Sequence, residues 1–391
     1  MRLAVLTRYF FPAEKGKTVK KGQGADIRIY ELYSRLAKEN KISIITQNFA
    51  STGKFSFSNL LFSSENFEGM EIRRTPCPAP FFFLTRFPSL FRFIEFLKVG
   101  KKSDILIAEF HPFHSIGKEA LLAKYLLRKP LILDVNDIAP ESEGGILGRV
   151  YLCYEKFISS RADGIIATSP EQAERFRGMG LHCPIVAVEN GVDTEKRIFL
   201  PGMKKKLGLE RKKVIGLMGS LTPQHGAGFL IRALPEILKS EPNAVLLLIG
   251  GGRDKEKLEG IASSLGVSEK VIFTGLIPYE KVNEYLSACD VLAAPFPKGR
   301  EYTTNLPLKL PEYLSMGIPV VVTDGPVLKR IVEESGAGFV AEAENGKSIS
   351  NAILSALKNP EIGKKGRAYA EKNLDWGTLS KRMENFLGGF A

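Results

Sequence analysis

What most constrains the fold is an alternation that runs twice through the chain. Short apolar runs closed by Gly, Pro or Asp are separated by longer amphipathic stretches, the pattern of parallel strands joined by crossover helices. Strands are expected at Leu3–Leu6, Ile42–Thr46, Ile105–Ala108, Leu131–Val135, Gly164–Thr168 and Ile185–Val188. After a polar, basic interval from Thr194 to Lys213 the alternation restarts, with strands at Val214–Met218, Ala244–Ile249, Val271–Thr274, Val291–Ala294, Val320–Thr323 and Gly338–Val340. A chain of 391 residues exceeds one hydrophobic core. The pattern therefore predicts an α/β protein of two doubly wound, Rossmann-like domains, 1–198 and 199–365, facing a central cleft. The Lys- and Arg-rich segment Ile362–Phe390 has a helical pattern and could dock on either domain; residues 366–391 are placed here against the first.

The net charge of +12 is unevenly spread, because residues 1–130 hold 22 Lys and Arg against 11 Asp and Glu. A basic end of this kind attracts polyanions: nucleic acid, an anionic membrane surface or a phosphorylated substrate. Nucleic acid is set aside, since this region carries phenylalanine clusters rather than a reading module. The four cysteines, Cys77, Cys153, Cys183 and Cys289, form neither a C-x-x-C pair nor a zinc spacing, which predicts reduced thiols in a cytoplasmic protein. The opening MRLAVLTRYFFP holds an apolar run too short for a signal-peptide core, and no run approaches the length of a membrane span.

Two segments of the second half suit an anion. The strand Val214–Met218 runs into GSLTPQHGAGFLIRAL, a glycine turn followed by an amphipathic helix whose first N–H groups and dipole suit a phosphate; the alternative is a plain strand-to-helix loop. In TTNLPLKLPEYLSMGIPVVVTD, Pro307 fits a first helical turn, Lys309 brings a full charge, and Glu312 offers a carboxylate suited to ribose hydroxyls. The alternative for Glu312 is a surface pairing with a lysine. Gly250, Gly251 and Gly252 lack the spacing of a dinucleotide fingerprint.

These stretches resemble the family-four retaining glycosyltransferases of the GT-B fold. NGVD at Asn190–Asp193 closes the first domain as in that family. The fifty or so residues from LLLIGGGRDKEKLEG to VLAAPF follow its second-domain core, and PLKLPEYLSMGIPVV looks like its P-x-K-x-x-E-Y signature. The resemblance implies a nucleotide-diphosphate sugar as substrate and an acceptor bound by the first domain. Glu312 matches the ribose-binding second Glu of the family's E-x7-E element, Leu308 and Lys309 the diphosphate contact, and Gly219 and Gly226 the phosphate loop. Ile277 matches the position whose main chain meets the base. Gly22, Gln23 and Gly24 match the glycine loop that closes over phosphates and acceptor, and His111 a histidine that touches the transferring sugar; capping of the next helix is its other reading. Three positions depart from the family pattern. Thr304 stands where the first Glu is expected, and Ser220 and His225 stand where many members carry Arg and Lys. Charge neutralisation then falls to Lys309, with Arg300 or Lys298 as helpers.

What the resemblance implies mechanistically is front-face transfer with retention, the leaving phosphate taking the acceptor's proton, and with neither metal nor cofactor. DVND at Asp134–Asp137 is not a D-x-D. Other readings are a sugar-nucleotide 2-epimerase on the same architecture and a non-catalytic lipid- or polyanion-binding scaffold.

One stretch is unlike an ordinary enzyme. PFFFLTRFPSLFRFIEFLKVGKK holds seven phenylalanines among cations. From Ser89 onward, Leu90, Phe93, Ile94 and Leu97 share one helical face and Arg92, Glu95 and Lys98 another, with the apolar face expected inward. Phe81, Phe82 and Phe83, flanked by Arg86 and Phe87, have no period that buries them all. They are expected to meet an anionic membrane surface and a lipid-linked or glycan acceptor, the rival being burial against the sheet or a partner subunit.

Overall fold

The computed structural model describes residues 1–8, 24–47, 61–77, 89–112, 114–136, 146–299 and 304–391. Two compact units form: Met1–Glu189 with Trp376–Ala391, and Asn190–Asp375. The domain limits drawn from the sequence at 198/199 and 365/366 both lie inside the second unit.

The first unit opens with β1 (Arg2–Leu6), α1 (Gly24–Leu36) and β2 (Lys41–Gln47). A hairpin of β3 (Ser63–Phe67) and β4 (Met70–Thr75) precedes α2 (Leu90–Gly100). Regular alternation then takes over: β5 (Ile105–Phe110), α3 (Ile116–Leu127), β6 (Leu131–Val135), α4 (Ile146–Ser159), β7 (Gly164–Ala167), α5 (Pro170–Gly178) and β8 (Ile185–Ala187). The sheet order is β3-β4-β2-β1-β5-β6-β7-β8, parallel except for β3 against β4. Its middle strands are buried except for Arg2 of β1 and the half-buried Glu109 of β5, which is why they read as apolar runs.

The hairpin is the part that the apolar pattern missed. SSENF is polar and MEIRRT buries only Met70 and Ile72 of its apolar side chains, so neither forms an apolar run; Arg74 of β4 meets Glu65 of β3 across the pair at 2.5 Å, while Arg73 pairs with Glu71 of its own strand at 2.7 Å. Glu68 and Gly69 turn the chain with φ of 45° and 81°, the two positive values a type I′ hairpin turn requires.

The expected orientation of α2 holds only in part: Phe93 and Leu97 pack partly buried against the core and Lys98 is exposed, but the helix is turned so that the rest of the expected inner face is left exposed. Arg92, Glu95, Phe96 and Val99 face inward, while Leu90, Phe91 and Ile94 are exposed. Arg92 is the cause: its guanidinium is fully buried and meets Glu119 of α3 at 2.6 and 2.9 Å, Ser115 at 3.2 Å and Gln47 at 3.3 Å. A buried charge with a charged partner and further acceptors is satisfied where a lone one is not.

The second unit begins with the short α6 (Met203–Lys206), β9 (Lys213–Met218) and α7 (Ala227–Ser240). Then come β10 (Ala244–Ile249), α8 (Lys255–Ser264), β11 (Val271–Phe273), α9 (Val282–Leu286), β12 (Val291–Ala294), α10 (Lys309–Ser315) and β13 (Val320–Thr323). The unit ends with α11 (Pro326–Ser335), β14 (Gly338–Ala341), α12 (Gly346–Lys358) and α13 (Gly363–Tyr369). All its strands are parallel, in the order β11-β10-β9-β12-β13-β14.

The helical segment Ile362–Phe390 is interrupted. A wide turn at Ala370–Leu374 and an extended Asp375 separate α13 from α14 (Trp376–Gly388), which belongs to the first unit. There α14 packs along α1, and Glu384 accepts a bond from Asn40 at 2.5 Å. The outgoing and returning strands of the chain are tied together inside the second unit: the Val192 amide reaches the Leu374 carbonyl at 2.9 Å, and the Thr194 hydroxyl donates to Asp375 at 2.7 Å.

Candidate functional site

In the second unit the carboxyl end of β9 passes into the glycine turn. Gly219 has φ of 134°, and a side chain there would start 3.4 Å from the Lys309 ammonium, so glycine lets bare backbone approach that charge. Gly226, at φ 75°, caps α7; a Cβ on it would collide with the Pro295 carbonyl oxygen. Between them His225 ends a short 3-10 turn, and Ser220 is exposed in the loop.

Lys309 opens α10. Its predecessor Leu308 is the N-cap, and Pro307 stands ahead of the helix rather than in its first turn. With seven residues α10 has little dipole, so any anion here depends on the lysine charge and not on that helix. The segment before it is held by Asn190 of NGVD, whose amide donates to the Leu306 carbonyl at 2.7 Å. The buried Tyr313 hydroxyl accepts from the Met218 amide at 2.7 Å and pins α10 to the end of β9.

The Lys309 ammonium lies 3.2 Å from Nδ1 of His225 and 4.9 Å from the centre of the Phe296 ring. Burial lowers the lysine to a pKa of about 7, against a smaller raising effect of Glu312. His225 falls to about 4, first through loss of water and then through the lysine charge. The imidazole is therefore neutral at physiological pH, and its Nδ1 accepts from the ammonium.

Three residues on, Glu312 is buried and paired with a residue the sequence reading did not single out. Arg197 donates to Oε1 of Glu312 at 3.0 Å, and the Tyr279 hydroxyl donates to the same oxygen at 2.9 Å. The Arg197 guanidinium also stacks 4.8 Å from the Tyr279 ring centre. Glu312 is thus no surface partner of a lysine. Arg197 follows NGVD by four positions, and Tyr279 lies two beyond the half-buried Ile277; those adjacencies were the available signal. Lys298, expected to help neutralise phosphate, sits at the surface 3.3 Å from Glu342, and Thr304 is half-buried.

In the first unit, Gly24 opens α1 and His111 follows β5. His111 does not cap the next helix, whose N-cap is Ser115; its ring lies 4.8 Å from that of His114. Two residues before it the half-buried Glu109 accepts from the Thr7 hydroxyl, from the Arg8 amide at 3.3 Å and from Asn136 at 2.9 Å, and loss of water pushes its carboxyl upward. Asp134 of DVND is buried in an ion pair with Arg28 of α1 at 3.1 Å. Gly22, Gln23, Phe81, Phe82, Phe83, Arg86, Phe87 and Arg300 lie outside the described residues. Among the described residues there is no group of three or more metal-ligating side chains, and no helix is long and apolar enough to cross a membrane.

Two Rossmann-like units of parallel sheet define the class of protein: they are those of a GT-B glycosyltransferase. Solved structures share the architecture over the whole chain. HepE of Anabaena, crystallised with UDP, gives a TM-score of 0.74 at 18% identity with 100% of both chains covered. Sucrose-phosphate synthase of Thermosynechococcus elongatus gives 0.77 at 18% identity, covering 99% of this chain and 98% of that one. The sequence profile of Glycosyltransferase Family 4 matches residues 22–196, and that of Glycosyl transferases group 1 matches residues 202–373. Between them the two profiles account for most of the sequence, and the chain belongs to the family-four, group 1 glycosyltransferases.

A curated relative is the GDP-mannose-dependent alpha-(1-6)-phosphatidylinositol monomannoside mannosyltransferase of Mycolicibacterium smegmatis. It is 31% identical over 242 residues, 58% of this chain. A monoacylated-substrate counterpart from Corynebacterium glutamicum is 27% identical over 246 residues, 59% of this chain. The match spans 63% of the length of each of these relatives.

Proposed function

We propose that the protein transfers a sugar from a nucleotide-diphosphate donor to a lipid-linked or cell-envelope glycan acceptor, with retention and without a metal ion. The observation that carries this reading is a buried lysine with no carboxylate in direct contact among the described residues, beside bare glycine backbone and a neutral imidazole. Such a site is costly when empty and stabilised by an anion. A nucleoside diphosphate leaves easily when fixed charge meets the charge that grows on it, and this electrostatic effect is usually the largest in group transfer. Lys309 supplies the charge, the Gly219 turn and the start of α7 supply N–H groups, and Glu312 takes the ribose. His111 is assigned to the transferring sugar by family resemblance. The two mannosyltransferase relatives make GDP-mannose the first donor to test.

Calorimetric titration with GDP-mannose and UDP-glucose tests the donor reading. Binding of either that survives Lys309→Ala and Glu312→Ala unchanged would overturn it, as would transfer lost on chelation of metal. For the acceptor, the exposed start of α2 is informative: Leu90 is 67% exposed and Phe91 45%, with Phe62 edge-on to Phe91 at 5.8 Å and Lys98, Lys101 and Lys102 exposed nearby in sequence. Apolar side chains flanked by cations suit an acidic bilayer. The reading makes the enzyme a cytoplasmic one that rests on the inner membrane face. Co-sedimentation with vesicles containing phosphatidylglycerol is expected, with Leu90→Ser/Phe91→Ser reducing it severalfold; equal binding of the variant would remove this part of the proposal.

A further inference from the structure

The arrangement around Glu312 is asymmetric. Arg197 and Tyr279 both donate to Oε1, and among the described residues none donates to Oε2. Arg197 is itself fixed at both ends. Its guanidinium donates to the Asn283 side chain at 2.5 Å, and its carbonyl receives the Ser315 hydroxyl and the Arg367 guanidinium, each at 2.8 Å. Its side chain is 6% exposed, whereas Tyr279 is 51% exposed and reaches Glu312 from the outside.

A carboxylate on a two-turn helix has several rotamers and two equivalent oxygens. Two donors converging on one oxygen remove that freedom: Oε1 is fixed as the anchored atom and Oε2 as the one available to a ligand. We propose that Arg197 and Tyr279 are positioning residues, which hold Glu312 so that Oε2 meets the ribose diol of the donor, and that Tyr279 thereby sets the preference for ribose over deoxyribose. Arg197 is set by the interior of the unit, and Tyr279 by the segment that follows β11, beside Ile277. The tyrosine therefore links the orientation of the ribose acceptor to the segment assigned to the base. The inference rests on the reading of Glu312 as the ribose ligand.

The test compares GDP with 2′,3′-dideoxy-GDP as calorimetric probes of the full chain. The wild type is expected to bind GDP about tenfold more tightly than the dideoxy analogue, the worth of a hydrogen bond to a charged group. Tyr279→Phe keeps the ring and its stacking on Arg197 and removes only the hydroxyl. It is expected to bring the ratio down severalfold, with the dideoxy affinity and the melting temperature unchanged. A ratio unaltered by Tyr279→Phe, or a parallel fall in both affinities, would overturn the positioning role. Glu312→Gln separates this from the reading beneath it. If that variant leaves the ribose preference intact, or if the wild type binds neither nucleotide, the ribose assignment itself fails.

Discussion

The Lys309 ammonium donates toward Nδ1 of His225 across 3.2 Å, and its charge adds to burial in keeping the imidazole unprotonated. Burial takes the lysine to about 7 and the histidine to about 4, so near neutral pH the pair holds between one charge and none. A bound diphosphate replaces lost water with negative charge and returns the proton to Lys309. Donor affinity is therefore expected to fall as pH rises above about 7, approaching tenfold per unit, because each binding event must then take up a proton. A sugar diphosphate diester has no ionisation of its own between pH 6.5 and 8.5, which leaves the slope to the protein. Titration of GDP-mannose at pH 8.5 in buffers of different ionisation enthalpy is expected to report uptake of close to one proton. Lys309→Arg, charged throughout, is expected to flatten the profile.

The same lysine makes a prediction about stability in the opposite sense to function. Its folded pKa, about 7, lies below the ordinary value of 10.5, so between these limits the unfolded chain holds a proton that the folded chain gives up. Stability without donor is then lowest at pH 7 and below, and rises through the window from 7 to 10.5 by at most roughly 1.4 kcal/mol per unit. Lys309→Met removes the charge while filling the same space. It is expected to raise the melting temperature at pH 7 by several degrees, to flatten the rise toward pH 10, and to abolish donor binding. A variant less stable than the parent at pH 7 would mean that the lysine is not under such strain.

The alternation of apolar runs located every parallel strand except β4 within a residue or two, because strands covered on both faces have no choice but to be apolar. It failed where polar groups do the organising. The edge strand β3 is almost wholly polar, and its neighbour β4 offers only Met70 and Ile72 before two arginines, so neither read as an apolar run. The inward face of α2 was read correctly for Phe93 and Leu97 but not for Leu90 and Ile94, because Arg92 has its partner Glu119 on another helix, beyond any local window. At the candidate site Gly219, Gly226, Lys309 and Glu312 were legible as turn and charge positions. Arg197 and Tyr279 were not, since their meaning lies in where a fold of parallel strands returns them, and neither stands in a spacing that a sequence window can detect.

The buried Arg92 of α2 gives a further expectation. Removing one partner of a fully buried pair leaves the other charge without compensation, at a cost of about 3–5 kcal/mol. Arg92→Met is expected to lower the urea midpoint accordingly, whereas Arg92→Met combined with Glu119→Leu is expected to recover most of the loss. Were α2 instead to bury its Leu90 and Ile94 face, Arg92→Met would be close to neutral and Ile94→Ala would be the damaging change.

Gly226 concentrates two demands at one position. Its φ of 75° lies in the left-handed region that L side chains rarely adopt, and the Pro295 carbonyl occupies the place of a Cβ. Pro295 directly precedes Phe296, whose ring lies under the Lys309 ammonium. Gly226→Ala must therefore move either the start of α7 or the segment after β12, and both border the lysine. The strain alone is worth on the order of 1–3 kcal/mol. The expected outcome is a modest fall in the urea midpoint together with a loss of donor affinity larger than the stability change explains, measured by calorimetry at a temperature where the variant is folded. Gly208→Ala is the control, since Gly208 also has positive φ, at 68°, but has no atom within 4 Å of the added methyl and lies outside the turn. It is expected to cost similar backbone strain and leave donor binding as it was; equal losses of affinity in the two variants would show that the Gly226 turn has no special relation to the anion.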